Sequence, residues 1–180
     1  INIIDENTVT FVFFDSDNVA YPVNVRFVTK IINTTTEATT FFADSTSTSS
    51  KPLTGYYLMT EDLNISVNLY RDRYFVNGTF DGDGHTLTVA VGSSHYVGLF
   101  GRIGDVTVKN LQIDMTKDFR GSSQSNYSKI QYHSLLGYLG SGYNACYFEN
   151  VQLNLSRADG DTDANYSADN YPKLYIIGSI

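Results

Sequence analysis

Carboxylates, a histidine and glycines crowd one stretch of the chain, FDGDGHTLTV at residues 80–89. Asp81, Asp83 and His85 stand at alternate positions and are residue types that bind hard cations or act as general acid and base. A second acidic run, DGDTD at 159–163, sets Asp159, Asp161 and Asp163 at i, i+2 and i+4, as an EF-hand calcium loop begins. The rest of that loop fails: its sixth position is Ala164 where Gly is needed, and its twelfth is Asn170 where a bidentate Glu is needed. The helix-flanked site is excluded, and calcium at Asp159, Asp161 and Asp163 would require an irregular surface loop. Hydrolysis of a glycosidic bond needs a second carboxylate at a defined separation, and the sequence locates none for Asp81 or Asp83. The DGDGH run is therefore predicted to be a turn. Gly82 and Gly84 supply positive φ, Asp81 and Asp83 accept backbone N–H bonds, and His85 opens the next strand.

Other reactive residues carry little chemistry. Arg71, Asp72 and Arg73 are consecutive and cannot share one face of a strand. Cys146 is the single cysteine, so no intrachain disulfide exists, and between Ala145 and Tyr147 it reads as a small buried apolar residue. The net charge of −7 opposes nucleic-acid binding, which needs basic patches. No apolar run is long enough to span a membrane as a helix. The chain opens at Ile1 and is read as a mature or excised piece.

Six N-x-Ser/Thr sequons occur, at Asn33, Asn64, Asn77, Asn126, Asn154 and Asn165. Fifteen Asn among thirty-five Ser plus Thr would give about three by chance. Asn33, Asn126 and Asn165 lie in polar surroundings that favour access. Asn64 and Asn154 alternate with apolar residues and should point outward if those neighbours point inward, and Asn77 precedes Gly78 at a corner.

The elements that would position these residues are strands. Tyr (14), Phe (11), Gly (14), Thr, Ser and Asn dominate, with no Trp and only 3 Pro, a strand-and-turn vocabulary. Two β-rich runs, 8–14 and 22–31, flank DSDN at 15–18. Residues 33–50 are Thr/Ser-rich and read as an exposed linker, so 1–50 forms an N-terminal β segment with its linker and 51–180 the main domain. Beyond Tyr56 come short apolar alternations: LNISVNL (63–69), TLTVAV (86–91), VTVKNLQIDM (106–115) and VQLNL (151–155). Gly98, Gly137 and Gly178 recur at steps of 39 and 41, and Asn110 and Asn150 are 40 apart. A stacked solenoid would place Val106, Val108, Leu111 and Ile113 beside Val151, Leu153 and Leu155 in its core. Asn110 and Asn150 would then sit at equivalent corners, tolerating left-handed geometry and bonding each other.

YYLMTEDLNIS (56–66), FVNGTFDGDGHTLTV (75–89) and VGLFGRIGDVTVKNLQI (97–113) together resemble surface proteins that carry the GLUG motif. In these a Phe-Asp-Gly-x-Gly-His segment precedes a Gly-Leu-Phe-Gly segment and an Asn-Leu strand. The resemblance covers 56–155 and departs at polar insertions 116–132 and 156–172; residues 1–50 lie outside it. It implies an all-β right-handed parallel β-helix of about six coils, in an extracellular or cell-surface, adhesin-like module. The expected function is that of a non-enzymatic, glycosylated structural or interaction scaffold without a cofactor. Its partners would be neighbouring repeats or identical subunits joined end to end, or a glycan or protein ligand. The alternatives are a carbohydrate-active enzyme, either polysaccharide lyase or glycoside hydrolase, and a calcium-dependent adhesin.

Overall fold

A computed structural model of the chain describes residues 2–5, 8–43, 46–67, 73–91, 98–117, 133–140, 142–157 and 174–179. Strands β1 (Asn2–Asp5), β2 (Thr8–Phe14) and β3 (Ala20–Arg26) form an antiparallel sheet in the order β1-β2-β3. The β2–β3 loop is the DSDN turn. Asp15 N donates to Val19 O at 3.2 Å, Asn18 N donates to Asp15 O at 3.1 Å, and Asn18 holds φ 66°, a left-handed conformation that Asn tolerates.

The chain then enters a larger sheet of nine strands: β4 (Lys30–Ile32), β5 (Leu53–Met59), β6 (Leu63–Val67), β7 (Tyr74–Asp81), β8 (Thr86–Val91), β9 (Arg102–Lys117), β10 (His133–Leu139), β11 (Cys146–Arg157) and β12 (Leu174–Ser179). Every pairing within it is parallel. Its strands alternate inward and outward as the sequence suggests, with β6 reading buried, exposed, buried, exposed, buried.

The right-handed β-helix is not what these strands build. A solenoid needs coils of one length, each strand stacking on one equivalent above and below. Here Gly55 pairs with Gly78 and Gly78 with Val106, steps of 23 and 28, while Val106 pairs with Cys146, a step of 40. The 16-residue β9 pairs with β7 along its first half and with β8 along its second. The result is a parallel half-barrel, accompanied by a separate antiparallel sheet and one helix. The expected 40-residue step survives locally: β11 runs beside β9 from Cys146↔Val106 to Arg157↔Lys117.

Residues 33–50 are not a linker either, since Thr35–Ala43 is helix α1. Thr34 and Glu37 form a capping box. Glu37 N donates to Thr34 Oγ1 at 3.2 Å, and the Glu37 carboxylate accepts from Asn33 N and Thr34 Oγ1, both at 3.1 Å. The helix drives Phe41 and Phe42 into a cluster with Tyr57, Phe75, Phe80 and Phe100, ring centroids 4.8–5.5 Å apart for the pairs they make. Arg73 closes this cluster. It is 1% exposed, donates to the carbonyl oxygens of Phe41 and Leu99, and lies 5.0 Å from the Phe41 ring centroid.

Candidate functional site

The DGDGH run is the turn between β7 and β8, and its geometry accounts for each residue. His85 N donates to Gly82 O at 2.8 Å, and the two residues between carry positive φ, 50° at Asp83 and 89° at Gly84. That is a type I′ turn, for which Asp-Gly is a preferred pair. Positive φ therefore falls on Asp83 and Gly84, whereas Gly82 is required by proximity: a Cβ there would stand 2.5 Å from Asn110 O.

Asp81 anchors the turn from within. Its side chain is 3% exposed and accepts from Tyr56 Oη at 2.5 Å, from Asp83 N at 3.0 Å and from Asn110 Nδ2 at 3.2 Å, with Lys109 Nζ at 3.7 Å. Burial alone would push its pKa up. The Tyr56 hydroxyl, the Asp83 amide, Asn110 and the Lys109 charge outweigh burial, and the carboxyl is held below its ordinary value. Asn110 passes the chain of bonds on, accepting from Asn150 Nδ2 at 3.1 Å. Both asparagines are left-handed, with φ 51° and 52°, as their spacing suggests. Asp83 faces away and pairs with Arg26 of β3 at 2.7 Å. His85 Nδ1 lies 3.2 Å from Asp62, whose carboxyl is lowered first by the Thr86 amide and then by His85. Asp81, Asp83 and His85 thus diverge to separate partners, and no metal-binding group of His, Cys, Asp or Glu exists among the described residues.

Beside Asp81 the outer face of the half-barrel carries a polar concavity of about 430 Å³. Gly55 and Tyr56 of β5, Asn77, Gly78 and Thr79 of β7, and Asp105 and Thr107 of β9 line it. Tyr56, Thr79, Thr107 and Tyr147 are successive partners across four parallel strands. The next row, Tyr57, Phe80, Val108 and Phe148, faces the core. Asp105, at φ 52°, spends one oxygen on the amides of Asn144 and Ala145 at 3.1 and 3.3 Å. The concavity escaped the sequence reading because its residues come from three strands whose register no single run reveals.

No family model matches the chain, and no curated protein and no solved structure matches it.

Four of the six sequon asparagines fall within the described residues. Asn33, Asn64, Asn77 and Asn154 are all exposed, and Asn64 and Asn154 face outward as their alternation suggests. Asn154 Nδ2 donates to Asp114 at 2.7 Å. Asn126 and Asn165, the calcium candidates Asp159, Asp161 and Asp163, and Arg71 and Asp72 lie outside the described residues. Cys146 packs half-buried against the core, and burial pushes its thiol pKa up, which opposes a nucleophilic role. No helix among the described residues is long and apolar enough to cross a membrane.

Proposed function

We propose that the protein is an extracellular or cell-surface structural module, glycosylated and non-enzymatic, that associates with identical subunits through its N-terminal hairpin. One observation carries the reading. Cross-strand pairs 9/25, 11/23 and 13/21 of β2 and β3 put Val9, Phe11, Phe13, Tyr21, Val23 and Val25 on one face. The one polar group these six carry is the Tyr21 hydroxyl, which donates to Asp15 at 3.0 Å, and Phe13, Tyr21, Val23 and Val25 are 36–58% exposed. Exposed apolar surface of this continuity marks interaction sites.

Area decides how much of the hairpin a partner must cover. With aromatic side chains offering about 150–250 Å² each, Phe13, Phe14, Tyr21 and Phe27 at 52–64% exposure hold out roughly 450 Å². Val12, Val19, Val23 and Val25 at 36–50% add about 150–250 Å². The sum approaches the roughly 800 Å² per partner of a stable interface, and one face alone reaches only about half of it. The association therefore covers both faces.

Strand addition at the β3 edge is a poorer route. The Asp15–Val19 bond sets the ladder phase, so Pro22, opposite Val12, turns its nitrogen to the free edge, where it offers no donor. The reading stays with binding, not turnover, because Arg73 and Asp81 are both consumed by internal packing.

Light scattering tests it. Full-length protein up to about 100 µM should self-associate, and Phe13→Ser with Tyr21→Ser should release monomers whose far-UV circular dichroism is unchanged. A monodisperse monomer across that range rejects the reading. For glycosylation, natively sourced protein should exceed the bare polypeptide mass, and peptides bearing Asn33, Asn64, Asn77 or Asn154 should carry hexosamine; a bare mass rejects that part.

A further inference from the structure

We propose that the concavity on the outer face of β5, β7 and β9, extended by the Tyr147 ring, binds a neutral saccharide. Its polar groups are of the kind that recognise sugar hydroxyls: the Asn77 amide, the Thr79 and Thr107 hydroxyls and the second Asp105 oxygen. Asp105 Oδ2 and the side chains of Asn77, Thr79 and Thr107 make no hydrogen bond among the described residues, so they are free to bond a ligand. In register beside Thr107 stands Tyr147, 59% exposed, an amphipathic ring that can stack on the apolar face of a pyranose.

Length and charge narrow the class. Tyr56 and Tyr147 are three strand spacings apart, about 14 Å, which suits an extended segment of a few sugar units crossing the strands. The lining holds one carboxylate and no cation, and Lys109 nearby is committed to Asp81 at 3.7 Å. Uronate or sulfated chains would therefore be repelled, in a protein of net charge −7.

One such saccharide could be the chain's own. Asn77, Gly78 and Thr79 form a complete sequon and all three line the concavity, so the first sugar on Asn77 would lie in it. That source rests on the glycosylation proposed above; a free oligosaccharide does not.

Two arms distinguish the sources. Protein made without N-glycans is titrated by calorimetry with cello-, laminari-, chito- and manno-oligosaccharides, and with polygalacturonate as the anionic control. We expect one neutral series to bind with a Kd between about 10 µM and 1 mM, weakened about tenfold or more by Thr107→Val and by Tyr147→Ser. Both variants should melt as the wild type does. In protein from an N-glycosylating host, enzymatic glycan removal should lower the wild-type Tm and leave Asn77→Gln unmoved. Either result supports the site and names its source. Failure of both arms, binding that survives both substitutions, or preference for polygalacturonate overturns it. Because hairpin association is read by light scattering with other residues, the two proposals fail separately.

Discussion

Replacing Asp81 by Ala should be among the most damaging single changes in the molecule. Its carboxylate is almost fully buried and accepts three hydrogen bonds, from Tyr56 Oη, Asp83 N and Asn110 Nδ2, with the Lys109 ammonium nearby. Hydrogen bonds to a charged group contribute about 1.5–3 kcal/mol each, and stranding a buried donor costs about 1–3 kcal/mol. Water can reach Lys109, which is 26% exposed, so its loss of a partner adds little. Taken singly the three bonds would sum to about 4.5–9 kcal/mol, but such contributions are not additive, and the cost of breaking a buried charged contact, about 3–5 kcal/mol, sets the expectation. For a chain of this length each kcal/mol moves Tm by about 2–4 °C, so Asp81→Ala should melt roughly 6–20 °C lower at pH 7. Asp81→Asn keeps an acceptor for Asp83 and Asn110 and should lose only about half as much.

The pH dependence is the sharper check. The folded pKa of Asp81 lies below its ordinary value of 3.8, so the unfolded chain takes up the proton first. The carboxylate's contribution is therefore fully present above 3.8 and is lost as pH falls through the lower folded value. The gap in unfolding free energy between wild type and Asp81→Asn, measured by urea titration, should be constant above about pH 5 and close below 3.8. A gap that stays level down to pH 2.5, or a cost for Asp81→Ala under about 1 kcal/mol at pH 7, would refute the reasoning.

Three further changes probe the frame. Gly101→Ala combines left-handed backbone, φ 67°, with a Cβ 2.4 Å from Arg73 O, so it should cost about 3 kcal/mol or more; Gly84→Ala, at φ 89° with open space around it, should cost about 1–2 kcal/mol by thermal denaturation. Thr34→Ala removes the helix cap and should cost about 1 kcal/mol, which Thr34→Ser should largely restore.

Local features of the fold were legible because they are local. A turn follows from the DGDGH run, although positive φ was expected at Gly82 and falls on Asp83, and the left-handed Asn110 and Asn150 follow from Asn between strand pieces at matching positions. Helix α1 was missed although its signal was present. TTTE at 34–37 is a capping box, and Phe41 and Phe42 one turn on are its buried contacts, but Thr and Ser abundance masked both. The half-barrel was not legible. Its steps of 23, 28 and 40 depend on how much chain leaves the sheet between strands, and the polar stretches that set those lengths carry no periodicity. Leu155 shows the consequence: it was expected in a continuous core and is 39% exposed on β11, which pairs only with β9 among the described strands.

The Asp81 anchor and the hairpin are one mechanical unit. Asp81 holds Tyr56 through its hydroxyl, and the backbone of Tyr56 is tied to Thr29: Thr29 N donates to Tyr56 O at 2.7 Å, and Tyr56 N to Thr29 Oγ1 at 3.0 Å. Asp81 also sets Asp83 through its amide, and Asp83 receives Arg26 from the end of β3. Both routes meet at residues 26–29, the base of the hairpin. The Arg26–Asp83 pair is 40% and 38% exposed and contributes at most about 1 kcal/mol to stability. Its effect is local, since Arg26 lies at the base of β3 on the hairpin face opposite Val25, Val23 and Tyr21, and Val12 and Phe14 farther out on that face stay 40% and 64% exposed. Both faces of the outer hairpin therefore stay open. The interface proposed above can then cover both faces of the outer hairpin while the Arg26–Asp83 pair at its base stays intact.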